Sequence, residues 1–208
     1  MSDTENFDYG YDEEAAGHAE DFANRIDKSD AYIGEFSRCW PIVSAQKGTK
    51  GVHFEFEADG AKTNFDIYTL KADGTKLPGY FTLQAIQTIL GLRGLTAAQG
   101  KIEKWDADEG KRVEVDGPTF PAVCGKRLGV VLQKELFNKA DGRESYRMGL
   151  QAVFDAATRL TASELKEKKQ KPEKLDRILR GLKTKDSRTN QAAEPAQPSQ
   201  SGIAEGGY

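Results

Sequence analysis

Hydrophobic and polar residues alternate with a period of two over much of the chain between Ala31 and Phe154, the period of a half-buried strand and not of a helix. Tyr32 to Trp40 alternates loosely, which puts Tyr32, Phe36 and Trp40 on a shared face. Lys47-Gly48-Thr49-Lys50-Gly51 supplies a turn, after which Val52, Phe54 and Phe56 alternate with His53, Glu55 and Glu57, a hairpin signature. Asp59-Gly60 turns the chain into a third strand, Thr63 to Leu70, which Asp73-Gly74 closes. Pro78-Gly79 breaks the period. Behind Thr82, Leu83, Ile86, Ile89 and Leu90 recur on one helical face, with Gly91 near the end. Lys101 to Trp105 and Arg112 to Val115 then bracket the turn Asp106 to Gly110, and Leu128 to Phe137 and Ser145 to Phe154 bracket Asp141-Gly142.

Three strands, a helix and further hairpins predict a mainly β chain: an OB-fold-like antiparallel barrel with one inserted helix, over residues 31–158. After it the pattern changes. Thr161-Ala162-Ser163-Glu164 has capping-box spacing, and Leu175, Ile178, Leu179 and Leu182 recur at helical spacing among Lys174, Arg177, Arg180, Lys183 and Lys185. Residues 159–188 are thus a C-terminal basic helical segment, expected to dock on the barrel with its lysines in water or to contact a partner. Residues 1–30 show no sustained apolar period, and residues 189–208 are rich in Gln, Ala, Pro, Ser and Gly. Both are expected to be disordered tails.

Composition agrees with a packed centre and polar ends. The 208 residues are 38% hydrophobic and 30% charged, below the ~45–50% apolar content of an average globular chain. The net charge of −3 hides a polarised distribution: residues 1–30 carry ten acids against Arg25 and Lys28, whereas residues 159–188 carry eleven bases against five acids. No run approaches the ~20 apolar residues that cross a bilayer. Met1 leads into Asp3, Glu5 and Asp8 instead of a basic leader, so the expected location is cytoplasmic. Cys39 and Cys124 are far apart with no second ligand at metal spacing, and are expected to be apolar fillers.

Familiar catalytic marks are missing from the sequence. There is no phosphate-binding Gly-rich loop, no His-Glu-x-x-His and no Gly-x-Ser-x-Gly. The segment from Asp106 has Lys111 and Gly117 where a calcium loop needs Gly and a bidentate Glu. The expectation is a binding protein that is not an enzyme, with no catalytic residue, metal or cofactor. What the strands do carry is bases interleaved with aromatics, the combination that holds single-stranded nucleic acid: rings stack on bases while Lys and Arg follow the phosphates. Phe54, Phe56 and Phe65 are expected in the core. The candidate contacts are Trp40, Tyr68, Trp105 and Tyr146 as rings, with Lys47, Lys50, His53, Lys62, Lys71, Lys104, Arg112, Lys126, Arg127 and Arg147 around them. The acidic head would compete for the same basic surface.

The stretches Ala31 to Phe36, Lys47 to Phe56, Leu83 to Leu92 and Gly125 to Gln133 resemble those of the single-stranded DNA-binding proteins that bacteriophages encode in their replication and recombination modules. The resemblance covers roughly residues 30–160. It implies an OB-fold that coats single-stranded DNA without sequence preference in phage DNA replication and recombination. It also implies recruitment of replication or recombination proteins, here through the charged tails, and leaves a homodimer open. Two other classes compete with it: a non-enzymatic interaction or structural module of a viral particle, and a metal-dependent nuclease built on scattered acids such as Asp59, Asp66 and Asp73.

Overall fold

A computed structural model describes residues 24–106 and 110–188. Of the expected tails 1–30 and 189–208, the parts up to residue 23 and from residue 189 lie outside the described residues, as do the turn 107–109 and the side chains of Trp105 and Asp106. Residues 24–30 are not a tail, because Ile26 is buried in the core and β1 begins at Asp30. Among the described residues the chain runs through β1 (Asp30–Val43), β2 (Lys50–Ala58), β3 (Ala61–Leu70), α1 (Pro78–Ile89), β4 (Ala98–Asp106), β5 (Lys111–Thr119), β6 (Arg127–Asn138), β7 (Glu144–Phe154), α2 (Ala162–Lys166), α3 (Glu173–Gly181) and β8 (Lys185–Asp186). The molecule is mainly β, as its alternation predicts.

One sheet has the order β3-β2-β1-β6-β7, with antiparallel neighbours throughout. The short β8 adds to it in parallel beside β6, and β4 and β5 form a separate two-stranded ribbon. The outer strands β3 and β7 touch, but no ladder joins them, so the expected barrel is not closed. A strap just ahead of β1 explains why. Ile26 donates its N–H to the Lys62 carbonyl at 3.0 Å, and Lys62 donates to Asn24 at 2.7 Å, so the strap uses hydrogen-bonding groups on β3 that a closing strand would need. Ile26 itself is buried in the core, and the Ser29 hydroxyl accepts the Lys134 N–H at 2.9 Å.

The core lies inside this curled sheet. Phe36, Phe54, Phe56 and Phe65 form its aromatic centre, with ring centroids 4.7–6.2 Å apart, and Ile86 of α1 is fully buried with them. The alternation of β2 and β3 therefore reads correctly, but that of β1 does not. Its pairing with β2 slips between Phe36 and Arg38, a bulge that reverses the parity of every later side chain. Phe36 and Cys39 consequently face the core, while Arg38 pairs with Glu55 and Trp40 with His53. Trp40 does not share the face of Phe36 as the sequence predicts.

Helix α1 starts ahead of the predicted Thr82, because Pro78 occupies its first turn, where a missing N–H costs nothing. Gly79 lets it lie against β3: a Cβ there would collide with the Tyr68 carbonyl and the Ile67 side chain. The C-terminal segment comprises two short helices. The Glu164 carboxylate, wholly buried, accepts N–H bonds from Thr161 at 2.9 Å and from Lys174 at 2.8 Å, and so joins the start of α2 to that of α3. Leu175 of α3 packs on Val131 and Phe154, so the basic helix docks on the sheet. No helix among the described residues is long and apolar enough to cross a membrane.

Candidate functional site

The candidate contacts predicted from sequence fall into five places, one of them the buried pair Trp40 and His53. Lys104, Trp105 and Arg112 belong to the β4–β5 ribbon, where Trp105 pairs with Arg112 across the ladder. Lys104 is exposed, Arg112 lies 3.7 Å from Glu103, and the Trp105 side chain is outside the described residues. Lys126 and Arg127 are exposed at the entry to β6. Two groupings remain, each around a cleft.

The larger cleft, about 950 Å³, runs along the seam between β3 and β7. It brings together Lys62, Tyr146 and Arg147 with Arg25 and Arg38, yet its cations are already engaged. Arg38 bridges Glu55 at 2.6 Å and Glu103 at 2.5 Å, Arg147 holds Glu135 at 2.7 Å, and Lys62 lies 3.8 Å from Glu57. The face of Tyr146 is covered by the Lys134 ammonium at 4.4 Å and the Arg25 guanidinium at 5.7 Å. Glu55 and Glu57 line the same walls. An anionic ligand would meet two like charges here and bases that, among the described residues, are ion-paired, Arg25 excepted.

Trp40 and His53 give a second correction at the level of residues. Trp40 is only 5% exposed, with its ring 4.2 Å from the imidazole of His53, so its face is not open to a base in this structure. His53 is buried too. Its Nδ1 pairs with Asp66 at 2.6 Å, while its Nε2 is buried with no partner among the described residues. Asp66 is thus a structural partner of His53. Asp73 accepts the Thr75 N–H at 2.8 Å, and that bond holds its carboxyl below the usual range. Among the described residues no three His, Cys, Asp or Glu side chains are grouped to hold a metal ion.

The second cleft, about 730 Å³, opens between the β1–β2 loop and the β3–α1 loop. Lys47, Tyr68 and Lys71 line it together with Leu77 and one carboxylate, Asp73, and Lys50 is exposed at the adjoining start of β2. Tyr68 is 41% exposed, because β3 alternates strictly: Phe65, Ile67 and Thr69 point inward and Asp66 and Tyr68 outward. Among the described residues Lys47, Lys50 and Lys71 form no ion pair, and the Asp73 carboxylate beside them, lowered chiefly by its bonds to Thr75, is lowered in lesser part by the Lys71 charge. An exposed ring beside three ammonium groups and a single carboxylate can stack on a flat π-system while the surplus positive charge holds phosphates on either side.

Sequence reasoning missed the continuation of this surface onto α1. The Lys76 ammonium sits 4.5 Å over the Tyr80 ring, Tyr80 meets Phe81 edge-on at 5.7 Å, and Phe81 is 64% exposed. The available signal was Phe81 itself, a large ring opposite the helical face marked by Leu83, Ile86 and Leu90. Compared with known proteins, the chain matches no protein-family model and no curated protein.

Proposed function

We propose that the protein binds single-stranded DNA without sequence preference, and that it works by binding and not by catalysis. The carrying observation is the smaller cleft: Tyr68 exposed beside Lys47 and Lys71, with Lys50 at its edge and Asp73 its one carboxylate, and none of the three lysines ion-paired among the described residues. In this reading a base stacks on Tyr68, a contact of about 1–3 kcal/mol that any base can make, and the three lysines hold the phosphates on either side. The strand path supports the reading. Its five strands make a partly open sheet with α1 following the third, as an OB-fold would have if the β4–β5 ribbon were an excursion. Such folds bind oligonucleotides on strands two and three and on the loop between strands one and two, the region of this cleft. The phage replication and recombination role rests on the resemblance noted above.

The test is fluorescence anisotropy with a labelled thymidine oligomer and a duplex of matched length, each at low and physiological salt. Tight, salt-sensitive binding of the single strand and weak binding of the duplex are expected, because stacked bases cannot reach the ring. Tyr68→Ala should weaken single-strand binding about tenfold. Equal affinity for both, or no binding at low salt, would overturn the proposal.

A further inference from the structure

The geometry points to a second base-binding step, on Phe81 and in the groove beside it, which continues the single-strand path from Tyr68 over the start of α1. This inference rests on the reading of the Tyr68 cleft given above. Gly79 lies directly against the Tyr68 carbonyl, and the Leu77 N–H bonds to the Thr69 carbonyl at 2.8 Å. The first turn of α1 is therefore the immediate neighbour of the cleft, and Leu77 lines it. From Leu77 the surface passes to Lys76 over Tyr80, then to Phe81.

Phe81 in turn lines a groove of about 510 Å³ between α1, β7 and the two C-terminal helices. Three features of that groove suit a nucleotide. Its apolar surface includes the small Ala85 and Ala152, which leave room for a flat ring. Gln84 and Gln151 offer amide groups that can donate to or accept from any base edge. Its rim is cationic with no carboxylate in the lining. Lys174 is held by the Ser163 hydroxyl at 2.7 Å and lies 3.7 Å from Glu167, whereas Lys166 has no ion-pair partner among the described residues. Exposed Phe81 costs the free protein an unburied ring, and nothing in the core of α1 requires it, since the buried residue of that helix is Ile86.

The discriminating experiment uses the full chain and two thymidine oligomers of roughly 5 and 15 nucleotides, spanning the range that one such fold occupies. Phe81→Ala and Lys166→Glu should each weaken the longer oligomer about 5- to 10-fold and leave the shorter one unchanged, whereas Tyr68→Ala should weaken both. A long oligomer with bromouracil at one end should also photocrosslink to the peptide containing Tyr80 and Phe81. If both variants bind the long oligomer as the unaltered protein does, with no crosslink there, the second step is overturned while the Tyr68 cleft stands, and the groove is left to a protein partner. If no oligomer binds and Tyr68→Ala changes nothing, the underlying reading fails and this step with it.

Discussion

Trp40 and Tyr68 both point away from the aromatic core, and Tyr68 is only two residues beyond Asp66, which lies in the Trp40–His53 row of the sheet. Their fates differ because one ring is covered and the other is not. Trp40→Ala should therefore destabilise the fold by about 3–5 kcal/mol in urea denaturation, and Tyr68→Ala by less than about 1 kcal/mol, the reverse of their effects on oligonucleotide affinity. Several carboxylates are held below their ordinary range, and two of them, Glu135 and Glu164, tie distant elements together. Bonds from Arg147, Lys185 and Ser187 pull Glu135 from its ordinary 4.5 to about 2. Burial alone would raise Glu164, but the N–H groups of Lys174 and Thr161 and the Thr161 hydroxyl bring it below the carboxylate norm. Both stabilise the fold fully above about pH 4.5, and the stabilisation is lost as pH falls through the lowered folded values. Glu135→Gln should flatten the loss of thermal stability between pH 4.5 and about 2, while Glu164→Ala should cost roughly 1–3 kcal/mol at neutral pH by orphaning buried donors.

At the scale of elements, two packings set the site's geometry. Gly79 fixes the approach of α1 to β3; Gly79→Ala should push the helix outward and weaken both stability and oligomer binding, even though it removes no contact residue. The β4–β5 ribbon contacts the sheet mainly at β1, and Arg38 clamps it through Glu103 at 2.5 Å and Glu114 at 3.5 Å. Arg38→Met should accelerate amide hydrogen exchange in β4 and β5 and leave the β2–β3 ladder protected. Equal protection in the variant would show that the ribbon is held by its apolar contacts alone, Ile102 being its buried residue. These elements were legible in advance because each follows from local period and turn chemistry. β8 was not, since two residues carry too little pattern and that strand exists only because β6 offers an open edge beyond β1.

For the whole molecule, charge decides the salt response. Three lysines at the cleft predict a slope of about −2 in log affinity against log salt, at about −0.7 for each single-strand phosphate neutralised. Replacing Lys47 and Lys50 together by Ala should make it shallower by about 1.4, measured by titration over a salt series. The acidic head adds a further test. Ile26 is part of the core and Asn24 pairs with Lys62, so a deletion probing the head must stop at residue 23. Removing residues 2–23 should raise oligomer affinity at low salt and leave the melting temperature unchanged.

Alternation and turn residues by themselves determined that the chain is mainly β, where its long strands and α1 lie, and that Phe54, Phe56 and Phe65 fill the core, because these depend on neighbours a few positions away. The tertiary structure alone decided the bulge after Phe36 that turned Trp40 outward, the strap that occupies the β3 edge, and the order in which the strands pair. It also decided which bases form ion pairs with distant strands: Arg38 and Arg147 read the same in sequence as Lys47 and Lys71, and only the carboxylates that folding brings close to them set them apart. A charge's partner is chosen by folding, over separations that no local pattern encodes.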